Sequence, residues 1–308
     1  MNKLPRFNGL IAAPFAPLNE KGNVVTDKIP EYYQLLEKNG VVGAFINGTT
    51  GEGVSLTTAE RMLITEKWTE AARSRNTVKV INMVGGTSYE ESILQAQHSA
   101  SAGADAIAVI APFYFKPSSA VQLAEFVARI ASSVPGLPVY FYHIPVLTGC
   151  YIQMIDFLKV AEEMIPNLAG IKFTQEDFMD FLSCLRFRDG KYEMLWGRDE
   201  NLLSALVLGC RGAVGSTYNY AAPLYNRLIS QFDAGNLEVA RELQMDSVRM
   251  ISLLGKYGGI ATGKAYMRYI GFECGGFRSP VKNMSHEEYQ AFTADVEALR
   301  MDHLFSVL

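Results

Sequence analysis

The sequence predicts an α/β fold, a (β/α)8 TIM barrel carrying a C-terminal helical extension. Three observations lead there. Short apolar, β-branched runs alternate along the chain with longer stretches of helical period, the pattern of a parallel sheet built from βα units. Eight such runs occur, each followed by its own helical stretch. Eight parallel strands satisfy their edges by closing, whereas a doubly wound open sheet more often has about five or six. Beyond residue 235 the helical period continues with no convincing strand.

In order, the first strand is expected at residues 10–14, ahead of a helix near 26–38, and the second at 41–47, ahead of a helix at 58–74. Thr57 and Glu60 form a capping box that fixes where this helix starts. The third strand, 78–84, precedes a helix at 88–102, and the fourth, 106–111, precedes one at 119–133. The fifth, 138–143, is followed by 151–164, the sixth, 169–173, by 176–187, and the seventh, 192–196, by 199–208. The eighth, 212–215, leads to a helix at 221–233. Three further helices are expected near 236–255, 259–270 and 286–303, with the glycine- and proline-containing stretch 271–280 as the loop joining the last two. The chain thus divides into a catalytic barrel, 1–235, and a three-helix extension, 236–308.

Composition narrows the function classes. With 49% hydrophobic and 19% charged residues over 308 positions, the chain is an ordinary globular one able to bury a sizeable core. A net charge of −4 supplies no basic field for nucleic acid or anionic lipid, so neither is an expected partner. The longest apolar runs, 104–111 and 137–141, fall far short of the ~20 residues of a membrane span. Residues 1–7 lack the apolar core and cleavage site of a signal peptide, so a cytoplasmic location is expected. Cys150, Cys184, Cys210 and Cys274 are widely spaced, with no Cys-x-x-Cys pair, and read as free thiols rather than disulfides or zinc ligands. His98, His143, His286 and His303 are equally scattered, which leaves a surface or packing role and no metal.

In such barrels the active site lies at the carboxyl end of the strands. Lys172 stands out there, between Ile171 and Phe173 on an apolar strand. Pointed inward, it would lose its hydration, favour the neutral amine and become a nucleophile toward carbonyl carbon. Pointed outward, it would be a strand-end lysine snorkelling to solvent. The loop after the second strand offers backbone N–H groups with the hydroxyls of Thr49 and Thr50. It can cradle a small anion, a carboxylate rather than a triphosphate because the P-loop ending is missing, or it can be an ordinary βα turn. Tyr142, one strand before Lys172, can relay protons or be a core tyrosine with its hydroxyl at the rim. Asp199 and Glu200 can bind sugar hydroxyls or cap the helix that begins there.

Taken together, Gly48, Thr49, Thr50, Gly51 and Glu52, the Tyr142-x-Ile-Pro145 strand end, the Gly170-Ile-Lys172 strand and Gly212-Ala-Val-Gly215-Ser216 resemble the N-acetylneuraminate lyase and dihydrodipicolinate synthase superfamily of pyruvate-dependent class I aldolases. The resemblance covers almost the whole chain. The synthase branch fits less well, because its substrate-holding arginine two residues after the Tyr-x-x-Pro proline is Leu147 here. The lyase branch fits better: Gly197-Arg-Asp199-Glu200 and Gly215-Ser216-Thr217-Tyr218-Asn219 are similar to lyase segments that hold the polyhydroxylated tail of sialic acid. Thr174 resembles the lyase threonine two residues past the lysine. Arg198 is not diagnostic.

The resemblance implies Lys172 as the Schiff-base lysine, Tyr142 as the proton-transfer group, and Thr49 and Thr50 as carboxylate ligands, with Thr50 close enough to the chemistry to count as catalytic. It implies that Tyr114, in Pro112-Phe113-Tyr114, completes a neighbouring subunit's site, hence a homo-oligomer, a tetramer by family analogy. The implied reaction cleaves N-acetylneuraminate to N-acetylmannosamine and pyruvate with no organic cofactor, since the lysine is itself the electron sink. Two other functions compete. One is a relative acting on a different 2-oxo sugar acid, which Asp199, Glu200 and Ser216 argue against. The other is an idle barrel that binds an oxo acid, which the presence of both Lys172 and Tyr142 argues against.

Overall fold

The computed structural model describes residues 6–308. The signal-peptide reading therefore lies largely outside the described residues, at positions 1–5. The barrel forms in the expected order from β1 (Gly9–Ala12), α1 (Ile29–Lys38), β2 (Gly43–Ile46), α2 (Thr58–Arg73), β3 (Lys79–Met83), α3 (Tyr89–Ala102), β4 (Ala106–Ile110) and α4 (Ala120–Ala131). It continues with β5 (Val139–His143), α5 (Pro145–Thr148), α6 (Met154–Met164), β6 (Leu168–Phe173), α7 (Phe178–Arg186), β7 (Glu193–Trp196), α8 (Leu202–Val207), β8 (Gly212–Gly215) and α9 (Tyr218–Asp233). Each strand pairs in parallel with the next, and β1 pairs with β8 to close the sheet. Three helices follow: α10 (Leu237–Lys256), α11 (Ala261–Tyr269) and α12 (His286–Ala298).

Strand alternation sorts the apolar residues into two cores. One face of each strand fills the barrel interior with Ile11, Phe45, Ile81, Met83, Tyr140, Tyr142, Leu195 and Val214. The other packs against the helices, with Val80, Val109, Phe141, Ile171, Phe173 and Trp196 among its members. Because successive side chains point to opposite faces, Ile171 and Phe173 on the helix side put Lys172 inside the barrel.

Among the departures of helix boundaries from the sequence expectation, one has a tertiary cause and two have local ones. The helix expected at 151–164 begins at Met154, where the backbone N–H groups of Met154 and Ile155 donate to the Asp180 carboxylate on α7, at 2.7 and 2.9 Å. The helix expected from 221 begins at Tyr218 and breaks at Ala221, whose φ of −137° is not helical, ahead of Pro223. The last helix stops at Ala298 rather than 303, since Arg300 takes a left-handed φ of 56°. The capping box of Thr57 and Glu60 forms as expected.

The extension is laced to the carboxyl end of the barrel. Leu18 N–H donates to the Cys274 carbonyl at 3.0 Å. A Cβ on Gly275, with its left-handed φ of 72°, would lie 1.9 Å from the Leu18 oxygen, so only glycine lets the two chains approach this closely.

Candidate active site

The amine of Lys172 sits between two aromatic faces at the upper end of the barrel interior, 3.9 Å from the ring centroid of Phe45 and 4.0 Å from that of Tyr142. The residue is 4% exposed. Burial pushes its pKa from the ordinary 10.5 down to about 7, against the upward pull of the Asp199 carboxylate. Desolvation outweighs the nearby charge, so near neutral pH a large fraction of the amine carries a free lone pair. A snorkelling lysine is thereby excluded.

Tyr142 and Lys172 are register partners on the adjacent strands β5 and β6. The Tyr142 phenol lies 3.3 Å from the Thr49 hydroxyl. Burial raises it to about 12 while the hydroxyls of Thr49 and Thr174 pull it down, so it stays protonated through the physiological range. A phenol in that state can accept one proton only as it passes its own onward.

The loop carrying Thr49 and Thr50 is pinned at its start by Asn47, whose amide donates to the Arg61 carbonyl, the Thr65 hydroxyl and Asn82 at 3.1, 3.2 and 2.8 Å. Asn47 and Glu52 both take left-handed φ values, 55° and 56°, which fold the segment back on itself. Thr49 is half-buried and Thr50 buried.

Asp199 is buried, and its Oδ2 accepts hydrogen bonds from the Thr217 backbone N–H at 3.0 Å and hydroxyl at 2.6 Å. Its partners therefore come from the loop after β8 rather than from its own helical turn. Burial raises the carboxyl to about 6, the Thr217 bonds opposing. Glu200 is half-buried and pairs with Arg198 at 3.4 Å.

Gly197 and Gly215 act through the space they leave. A Cβ at 197 would come within 2.0 Å of the Thr174 hydroxyl, and one at 215 within 1.9 Å of Asp199 Oδ1. Ser216, half-buried, follows at the end of β8.

Lys172, Tyr142 and Thr49 thus come together directly, and Asp199 reaches Lys172 electrostatically. Tyr114 does not join them. It lies in the loop after β4, 76% exposed, with its ring against Phe115. His143 packs between aromatic rings, neutral, its pKa lowered by burial to about 4. Among the described residues no group of three or more His, Cys, Asp or Glu is arranged to hold a metal ion. Sequence reasoning missed Phe45, the second face of the lysine's slot, although its inward position follows from strand alternation. It places Thr217 at the end of the eighth strand but gives it no role, because its bond to Asp199 spans two elements.

A profile of the dihydrodipicolinate synthetase family matches residues 6–299. The chain belongs to that family. Among relatives, the N-acetylneuraminate lyase of Rattus norvegicus is 39% identical over 297 residues, covering 95% of this chain and 91% of the relative. Among solved structures, Proteus mirabilis N-acetylneuraminate lyase superposes with a TM-score of 0.93 at 36% identity, over 96% of this chain and 99% of that one. The N-acetylneuraminate lyase (sialic acid aldolase) of Aliivibrio salmonicida gives 0.92 at 34% identity, over 96% and 97%. In this chain the closed barrel carries the inward Lys172 on β6 beside the hydroxyl loop after β2.

Proposed function

We propose that this protein is a class I aldolase that cleaves N-acetylneuraminate to N-acetylmannosamine and pyruvate through a Schiff base on Lys172. The observation that carries the reading is the desolvated Lys172 amine held against Tyr142, 4.0 Å from its ring centroid, with Thr49 within hydrogen-bond reach of the phenol. The relatives named N-acetylneuraminate lyase support the choice of substrate.

The open-chain substrate binds with its carboxylate on Thr49 and Thr50, which presents the C2 ketone to the amine. Lys172 attacks C2, and loss of water leaves an iminium that draws electrons from the C3–C4 bond. Tyr142 accepts the C4 hydroxyl proton while releasing its own toward the bound carboxylate, which suits a phenol too basic to ionise. The C3–C4 bond breaks, its electrons form the enamine, and N-acetylmannosamine leaves as the aldehyde. Protonation at C3 and attack of water on the iminium return pyruvate and free amine. No organic cofactor enters this sequence. Asp199, Glu200, Thr174 and Ser216 select the polyhydroxylated tail, because a shorter oxo acid would leave the buried Asp199 Oδ1 and Thr174 hydroxyl unpaired. Gly197 and Gly215 give Thr174 and Asp199 the room to do so.

The same reading includes a homo-oligomer, a tetramer by analogy with the family, in which Tyr114 reaches a neighbouring site. The exposed triplet of Phe113, Tyr114 and Phe115 is the kind of surface a second copy covers. It also includes a barrel over 1–235 with the helical extension at 236–308, and a reducing, cytoplasmic setting, supported by four buried free thiols. No helix among the described residues is long and apolar enough to cross a membrane. The test is a turnover assay on N-acetylneuraminate. Wild type should release N-acetylmannosamine, Lys172→Ala should release none, and Asp199→Ala should lose this substrate while still binding pyruvate. Wild-type turnover of shorter 2-oxo acids but not of N-acetylneuraminate would overturn the reading.

A further inference from the structure

Glu52 and Lys264 form an ion pair at 3.0 Å between side chains that are 4% and 3% exposed, joining the hydroxyl loop after β2 to helix α11. Every donor and acceptor is used. The Lys264 ammonium donates to Glu52 Oε1, to the Ala16 carbonyl at 2.9 Å and to the Gly276 carbonyl at 2.6 Å. Glu52 Oε2 accepts the Arg278 backbone N–H at 2.8 Å. Four chain segments therefore meet at one buried charge pair. The Phe277 ring covers the ammonium with its centroid 4.6 Å away.

A pair this deep is weak evidence for stability, since desolvating both charges costs much of what their attraction returns, and well-packed apolar residues would often serve as well. What it supplies is a fixed position. The Glu52 backbone N–H donates to the Thr49 carbonyl at 3.1 Å, and the Gly53 N–H to Gly48 at 3.1 Å. A Cβ on Gly53 would lie 1.8 Å from the Asn47 carbonyl oxygen, so the loop is folded tightly on itself between its two anchors. Asn47 holds one end to α2 and β3, and Glu52 holds the other to the extension. Thr49 and Thr50 sit between.

We infer that Glu52 and Lys264 are positioning residues for the active site: the ion pair clamps the Thr49–Thr50 loop in the geometry that receives a 2-oxo acid carboxylate, so the C-terminal extension is part of the binding machinery. This rests on the reading of that loop as the carboxylate cradle. Neither residue touches the substrate. Their effect is felt in carboxylate binding and not in the nucleophilicity of Lys172.

The experiment compares two ketones in borohydride trapping on Lys172: pyruvate, which carries the carboxylate, and hydroxyacetone, which lacks it. In Lys264→Met and Glu52→Gln, half-saturating pyruvate should rise on the order of tenfold or more, the scale on which misplacement of a binding group acts. Half-saturating hydroxyacetone should move by less than about twofold in the same variants, since the carboxylate contact is the one disturbed. A merely structural role would shift both ketones together, and that outcome, or no shift in either, overturns the inference. Should Lys264→Met fail to fold, Glu52→Gln carries the test, because it keeps the shape and hydrogen-bond reach of the carboxylate. Wild type that traps hydroxyacetone as readily as pyruvate would instead bring down the cradle reading, and the inference with it.

Discussion

Replacing Lys172 with methionine should make the protein more stable and completely inactive, and the size of the gain should depend on pH in a way the burial of the amine dictates. The folded amine ionises near pH 7 and the unfolded one near 10.5. Between these values the unfolded chain holds about one more proton at this position, so wild-type stability climbs with pH through that window. Below pH 7 the cost of burying the ammonium is fully present. The interval from 10.5 to about 7, at about 1.4 kcal/mol per tenfold, sets a ceiling of about 5 kcal/mol. At pH 7, with the folded amine half-protonated, about 4 kcal/mol of that remains. Methionine keeps nearly the same volume against Phe45 and Tyr142 and carries no charge. Urea unfolding at pH 7 should therefore show the variant more stable by up to about 4 kcal/mol, and the difference should vanish above about pH 10.5. A pH-independent difference, or a variant less stable than wild type at pH 7, would refute the claim that the lysine is desolvated.

Three further changes separate chemistry from structure. Tyr142→Phe should lower kcat on N-acetylneuraminate by about 10²- to 10⁴-fold, the usual loss of a proton-transfer group, while pyruvate is still trapped on Lys172 by borohydride. Gly215→Ala should push the Asp199 carboxylate aside, since the new Cβ would lie 1.9 Å from its Oδ1. Its kcat/KM on N-acetylneuraminate should fall as far as that of Asp199→Ala, with pyruvate trapping kept at the wild-type rate. Gly170→Ala would bring a Cβ to 1.9 Å from the Glu193 carbonyl oxygen, backbone against backbone within the barrel. Denaturant melting should show a loss of about 3 kcal/mol or more.

Much of this architecture was legible in the sequence because the deciding signals are local. All eight strands are short apolar runs, and the capping box at Thr57 and Glu60 marks a helix start without help from elsewhere. Helix α6 was misjudged at its start because its N-terminal donors are satisfied by Asp180, on a different helix. The four-residue helix α5, which opens on Pro145, is too short to show a period. At the site, Lys172 could be found because a cation on a buried strand is conspicuous. Asp199 and Thr217 each stand out at a strand end, but their pairing is invisible in the sequence, since the contact spans two elements. The Glu52 and Lys264 pair bridges 212 positions and leaves no trace in local pattern. Tyr114 was read from resemblance alone, and a single chain leaves it on the surface.

The covalent role of Lys172 is tested by incubating the protein with pyruvate and borohydride across a range of pH and mapping the modified peptide by mass. A single N-carboxyethyl group is expected, on Lys172, with a trapping rate that rises as pH passes through about 7. An unmodified Lys172 peptide, or an adduct on another lysine, would contradict that role.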